Sequence, residues 1–138
     1  MDDLRDALTL WTTVAPFKDY ISETIGWRVI PAHENDKLRV YRRDDGEPYA
    51  MLTFCFLNDE EAKTEEWCGH EAYKRESGDQ LWVIDMIANG GRSDVLEVSK
   101  DVRKFFYEAF PEVSTVHAIR GIGNGNRRGW YPNKGLKK

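Results

Sequence analysis

Apolar positions recur along this chain with two periods, and each change of period marks an element. At the start, Leu4, Ala7, Leu8 and Trp11 fall at helical spacing behind Asp2 or Asp3, either of which suits a helix cap. Pro16, inside "TTVAPFKDY", ends that helix, and "WRVIPAH" after Gly26 reads as a short extended piece closing at Pro31. "KLRVYRR" and "PYAMLTFCFL" are strand-like runs joined by "DDGE", where Asp45-Gly46 predicts a hairpin. The second run is apolar on both faces, as in a central strand. "NDEEAKTEEWCGHEAYKRE" opens with a capping residue and acids, so it predicts a charged surface helix anchored by Trp67 and Tyr73.

Strand "QLWVIDMIA" then runs through the turn "NGGRSD" into a helix carrying Val95, Val98, Val102, Phe105, Phe106 and Ala109 on one face. "FPEV" stops it before a last strand, "STVHAIRGI". Strand, glycine turn, helix and strand make a crossover unit, so these two strands are expected to be parallel neighbours. The order αββαβαβ, with no linker or repeat, predicts one layered α/β domain over residues 1–138.

Composition narrows this further. A chain of 138 residues with five Trp, six Tyr and six Phe can bury a core without metal or disulfide staples. No apolar run approaches the ~18 residues of a membrane span, and "MDDLRD" resembles neither a signal nor a transit peptide, so a cytoplasmic location is expected. Cys55 and Cys68 fit no metal-ligand spacing and are expected to stay reduced. The net charge of −4 conceals a basic end: Arg120, Arg127, Arg128, Lys134, Lys137 and Lys138 face no acid. Residues 119–138 therefore read as a basic C-terminal tail, partly disordered. With Trp130 and Tyr131 as stacking groups the tail would also suit a nucleic acid, but the acidic remainder argues against that use.

Candidate chemistry concentrates around one acid. Asp85 interrupts the apolar strand "WVIDMI", and an ionised carboxylate there must be either paired or at work. The turn residues Asn89, Gly90, Gly91, Arg92 and Ser93 stand before a helix N-terminus, where free N–H groups attract an anion such as the phosphate of a pantetheine arm. A plain tight turn explains them equally well. His33, His70 and His117 are scattered, with no nucleophile at a telling spacing, and no metal site is expected.

Together "LTLWTTVAPFKDY", "RRDDGEPYAM", "SGDQLWVIDMIANGG", "VRKFFYEAFPE" and "HAIRG" resemble the toxin-activating lysine acyltransferases that fatty-acylate RTX haemolysins. The resemblance implies a GNAT-like acyltransferase fold, a central mixed β-sheet flanked by helices. It implies transfer of an acyl group from acyl-carrier protein, or acyl-CoA as co-substrate, to a lysine amine of a protein acceptor. No tightly bound cofactor goes with that chemistry. Members of the family place an Asp on the strand matching "WVIDMI", and Asp85 falls there.

The family's catalytic His does not carry over, because Ala15, Pro16, Phe17 and Lys18 occupy that motif. A protonated Lys18 is no substitute for imidazole unless desolvation depresses its pKa, or unless it carries the acyl group itself. Another route is for His117 to reach Asp85 from the neighbouring strand. The chain is also shorter than the toxin activators, so the toxin-activating role is not expected to follow the fold. Two functions remain from the resemblance. One is a lysine acyltransferase using Asp85, Lys18 and His117. The other is a catalytically degenerate relative, of a phage or mobile-element type, acting as a protein-binding modulator. The partners expected are an acyl carrier protein, a protein acceptor, or a second copy in a homodimer for which the sequence shows no seam.

Overall fold

The computed structural model describes residues 2–13, 29–64, 70–76, 80–120 and 127–134. Helix α1 (Asp3–Thr13) is capped by Asp2, whose Oδ1 accepts the Arg5 N–H at 2.9 Å. It buries Ala7, Leu10 and Trp11. Residues 29–34 form α2, where the sequence predicted an extended piece. Val29, Pro31 and Ala32 are its buried positions. The helix ends in a left-handed cap at Asp36 (φ 58°), with Lys37 N–H on Ala32 O at 2.7 Å and Asp36 N–H on His33 O at 3.4 Å. Pro31 is locally a stop signal, but the packing of Val29 and Ala32 and this cap outweigh it.

Strands β1 (Leu38–Arg42) and β2 (Pro48–Leu57) form the predicted antiparallel hairpin. Gly46, at φ 92°, adopts a backbone angle that side chains disfavour. Helix α3 (Asp59–Thr64) begins in a reciprocal capping box, Glu61 N–H to Asn58 Oδ1 and Asn58 N–H to Glu61 Oε1. Helix α4 (His70–Lys74) follows and buries Tyr73, while Trp67 lies outside the described residues. Then come β3 (Gln80–Ala88), α5 (Arg92–Ala109), β4 (Thr115–Arg120) and β5 (Arg127–Pro132).

The five strands lie in sequence order in one sheet. β3 and β4 are parallel, as the crossover predicts, and the other pairs are antiparallel. β5 was not anticipated: the segment read as tail contains an edge strand paired along β4. Nearby, Asn133 is a reason for that edge to stay in place, because its Nδ2 donates to Phe110 O (3.0 Å) and Val113 O (2.9 Å) at the end of α5. Carbonyls that a helix terminus leaves without partners are thus satisfied from the far edge of the sheet.

The two faces of the sheet pack differently. Ala50, Leu52, Phe54 and Phe56 alternate toward α5, where they meet Leu81, Val83, Val98, Val102 and Phe106 in one cluster. The opposite residues of β2 serve two clusters: Met51 with Ile87 under α1, and Cys55 and Leu57 with Trp82, Ile84 and Tyr73. Arg42 ties α1 to β1, donating from Nη2 to Asp3 Oδ1 (2.6 Å) and Asp6 Oδ2 (2.8 Å).

Candidate active site

β3 is irregular at the place that matters for Asp85. Thr53 pairs with Asp85 but Phe54 pairs with Val83, so Ile84 is an extra residue in β3 opposite one step of β2. The bulge switches parity: Leu81 and Val83 face α5 before it, and Met86 and Ala88 do so after it. As a result Ile84 packs with Trp82 on the other face, and Asp85 is directed there too, against Thr53.

There the carboxylate is 5 % exposed. Thr53 Oγ1 donates to Asp85 Oδ2 at 3.1 Å and accepts the Asp85 N–H at 3.1 Å. This reciprocal pair fixes the carboxylate relative to its own backbone and lies between the two apolar clusters of that face. Pairing with β4 covers Leu81–Val83 against Val116–Ala118 and ends at the bulge, although β4 continues to Arg120. Asp85 therefore stands where a pair of parallel strands loses its ladder. A buried carboxylate so placed can accept a hydrogen bond from an amine and stabilise positive charge developing on it.

The structure sets His117 beside Trp82. The two are register partners, and their rings stack with centroids 4.8 Å apart and planes 14° from parallel. Trp82 Nε1 in turn donates to Gln80 Oε1, and Gln80 Nε2 to Asp59 Oδ1. Asp85 lies three residues further along β3, but the bulge matches that span to only two residues of β2, Cys55 to Thr53, roughly 7 Å at the usual strand rise. His117 and Asp85 share a face, with His117 engaged by Trp82 and Asp85 by Thr53. Lys18 lies outside the described residues.

The turn after β3 already contains an anion of its own. Asp94, in the first turn of α5, is 7 % exposed and pairs with Arg43 Nη2 at 3.0 Å. The Arg43 guanidinium also lies over the Tyr49 ring, 4.6 Å from its centroid, and reaches Asn89 Oδ1 at 3.4 Å. A Cβ on Gly90 would collide with the Asp94 carboxylate. Gly91 needs its left-handed φ of 73° as the N-cap. Both glycines thus have a local structural reason, and Arg92 and Ser93 are exposed beside them. Sequence reasoning missed the Arg43–Asp94 pair. Its one local signal was an acid in the first turn of a predicted helix; the cation came from a hairpin 51 residues away.

Among the described residues no group of His, Cys, Asp and Glu could hold a metal ion, and no helix is long and apolar enough to cross a membrane.

This architecture is similar to the loading GNATL domain of CurA from Lyngbya majuscula, with a TM-score of 0.53 at 17% identity, over 88% of this chain and 62% of that one. At that identity the likeness shows the fold: a GNAT-like mixed sheet flanked by helices. In sequence, the chain is 33% identical over 97 residues to the leukotoxin-activating lysine-acyltransferase LktC, serotype A11, of Mannheimia haemolytica, covering 63% of this chain and 53% of that protein. The chain thus spans about half the length of this curated relative. The profile of the HlyC, or RTX toxin acyltransferase, family matches residues 4–126, and the chain belongs to that family.

Proposed function

We propose that this chain is an acyltransferase that moves an acyl group from a thioester donor, acyl-carrier protein or acyl-CoA, to the ε-amine of a protein lysine. The observation supporting this reading is the buried Asp85, held by Thr53 at the bulge where β3 stops pairing with β4. In the reaction the neutral amine attacks the thioester carbonyl, the C–N bond forms and the C–S bond breaks. The departing thiolate takes up the proton that the nitrogen sheds. Asp85 orients the amine and stabilises its positive charge until that proton leaves. No tightly bound cofactor is required.

A second reading comes from Lys18, which by the resemblance stands where the family places its His. In that reading the chain binds a protein partner without turnover. Intact-mass analysis of the protein mixed with a long-chain acyl-carrier protein and a lysine-bearing acceptor separates the two. Loss of the acyl group from the donor, abolished by Asp85→Asn, supports catalysis, and an unchanged donor supports the binding role. A mass gain on this protein itself, absent in Lys18→Arg, would assign Lys18 the part of acyl carrier.

A further inference from the structure

The solvent face of α5 has a charge pattern that neither the core nor the candidate site explains. Arg92, Leu96, Lys100, Arg103, Lys104 and Tyr107 follow helical spacing and fall within roughly a third of the helix circumference. Its four cations are exposed, and so are its apolar members, Leu96 at 54 % and Tyr107 at 48 %. The acids of the helix lie elsewhere. Asp94 and Asp101 turn to Arg43 and Arg39 of the sheet, and Glu97 and Glu108 flank the stripe on one side. Among the described residues Arg92, Lys100 and Lys104 have no ion-pair partner, and Arg103 stacks on the Tyr131 ring at 5.0 Å. The chain as a whole carries a net charge of −4.

We propose that this face of α5 is the docking surface for the acyl-carrying donor protein, a small partner presenting an acidic helical face. The inference rests on the acyltransferase reading and names the place where its donor binds. Charge complementarity selects the occupant: an acidic partner is repelled by most of this chain and attracted to this stripe. The stripe is one helix wide and roughly 22 Å long. Two large apolar side chains among the cations suit a folded protein surface that covers both kinds of group, with apolar anchors inside a charged rim. A phosphate backbone would use the cations and leave Leu96 exposed, and a membrane would demand a wider apolar face than two residues supply. The N-terminal end of the stripe, Arg92, follows the turn that leads out of β3, the strand that carries Asp85. An acyl arm extending from a partner docked there starts near the strand that must receive it.

The test is the affinity of the whole protein for holo-acyl-carrier protein, measured by calorimetry at low and high salt, for wild type, Lys100→Glu/Lys104→Glu and Leu96→Ser. The charge-reversed variant is expected to bind on the order of tenfold or more weakly, with a flatter salt dependence, at an unchanged melting temperature. Leu96→Ser should weaken binding without changing the salt dependence. In parallel, acyl transfer is followed from acyl-carrier protein and from free acyl-pantetheine. The reversed variant should lose the first reaction and keep the second.

Equal affinity of wild type and reversed variant overturns the proposal, as does the absence of carrier binding by wild type. Tighter binding to anionic phospholipid vesicles or duplex DNA, lost on the same reversal, also overturns it, as does self-association lost in that way. If neither donor supports transfer but carrier binding still needs the stripe, the acyltransferase reading fails and the docking surface stands. Normal transfer from both donors in the reversed variant has the opposite meaning.

Discussion

The two faces of the sheet solve different problems with the same strands. Toward α5, β2 and β3 contribute to a single continuous cluster in which Phe54 meets Phe105 and Phe106 edge to face, and Asn133 ties the end of the helix to the sheet edge. On the opposite face the apolar packing is split in two, and the buried Thr53–Asp85 pair occupies the division. A polar pair in that position gains less for stability than a methyl-rich contact would. The bulge that carries it also interrupts the ladder. The first face is built to hold the fold, and the second gives up apolar continuity for a fixed carboxylate. Asp94 sharpens the contrast: it is as buried as Asp85, but it pairs with a guanidinium that neutralises it in place, as a structural acid should.

The largest effect is expected on the α5 face. Phe106→Ala should lower stability by about 3–5 kcal/mol in chemical denaturation, because the cavity opens in a packed core. A loss below ~1 kcal/mol would mean that this face is not the stabilising one. Asp85→Asn should slow acyl transfer by about 100-fold or more while shifting the melting temperature little, since the amide still fits beside Thr53. A variant that melts early at full specific activity would reverse the roles assigned to the two faces.

Arg43→Ala should cost about 2 kcal/mol, less than for a fully buried pair because Arg43 is half exposed while Asp94 stays enclosed. Double substitution with Asp94→Ala should recover part of that loss in a double-mutant cycle.

Tyr131 gives a smaller and opposite effect. Among the described residues its buried hydroxyl has no hydrogen-bond partner, so Tyr131→Phe is expected to be neutral or to stabilise by up to ~1 kcal/mol. Burial pushes the phenol up to about 12 from its ordinary 10. A raised folded value means a contribution present below pH 10 and lost as pH rises toward 12, and the phenylalanine variant should lack this alkaline loss.

The smallest effect concerns Glu61 on the opposite face. Burial alone would raise its carboxyl, but hydrogen bonds from Arg75 and the Asn58 N–H hold it below the ordinary value. A depressed folded value makes its contribution present above the ordinary carboxylate range and lost as pH falls through the folded value. Glu61→Gln should therefore flatten the acid limb of a pH-stability profile by a few tenths of a kcal/mol.

Much of the fold was legible because its signals are local. Asp45-Gly46 specified the hairpin, the spacing of Val98, Val102 and Phe106 specified the buried face of α5, and strand–turn–helix–strand order specified the parallel pair. Val95 shares the arc of Val98, Val102 and Phe106 but proved exposed, because it lies in the first turn of α5 and the buried apolar positions of that arc begin at Val98. The misread pieces depend on distant partners. α2 around Pro31 is held by the packing of Val29 and Ala32 and by the cap at Asp36. β5 reads as a basic, glycine-rich tail until β4 is available to pair with it.

The same distinction applies to the site. Asp85 was visible as an acid in an apolar strand, whereas its partner Thr53 is 32 residues away and was not. The glycine turn drew attention as a place for a phosphate, and only the fold brings Arg43 and Asp94 together beside it. Spacing alone offers His117 as a partner for Asp85, and strand register, which the spacing does not show, stacks its ring on Trp82 on the same face as Asp85.

The most direct measurement is the single-turnover rate of acyl loss from long-chain acyl-carrier protein, in the presence of a lysine-bearing acceptor, for wild type and Asp85→Asn matched in melting temperature. Donor consumption by wild type with a loss of about two orders of magnitude in the variant is the expected result. Equal rates in the two proteins, or an intact donor with wild type, would contradict the assignment of Asp85 as the acid of an acyltransferase site.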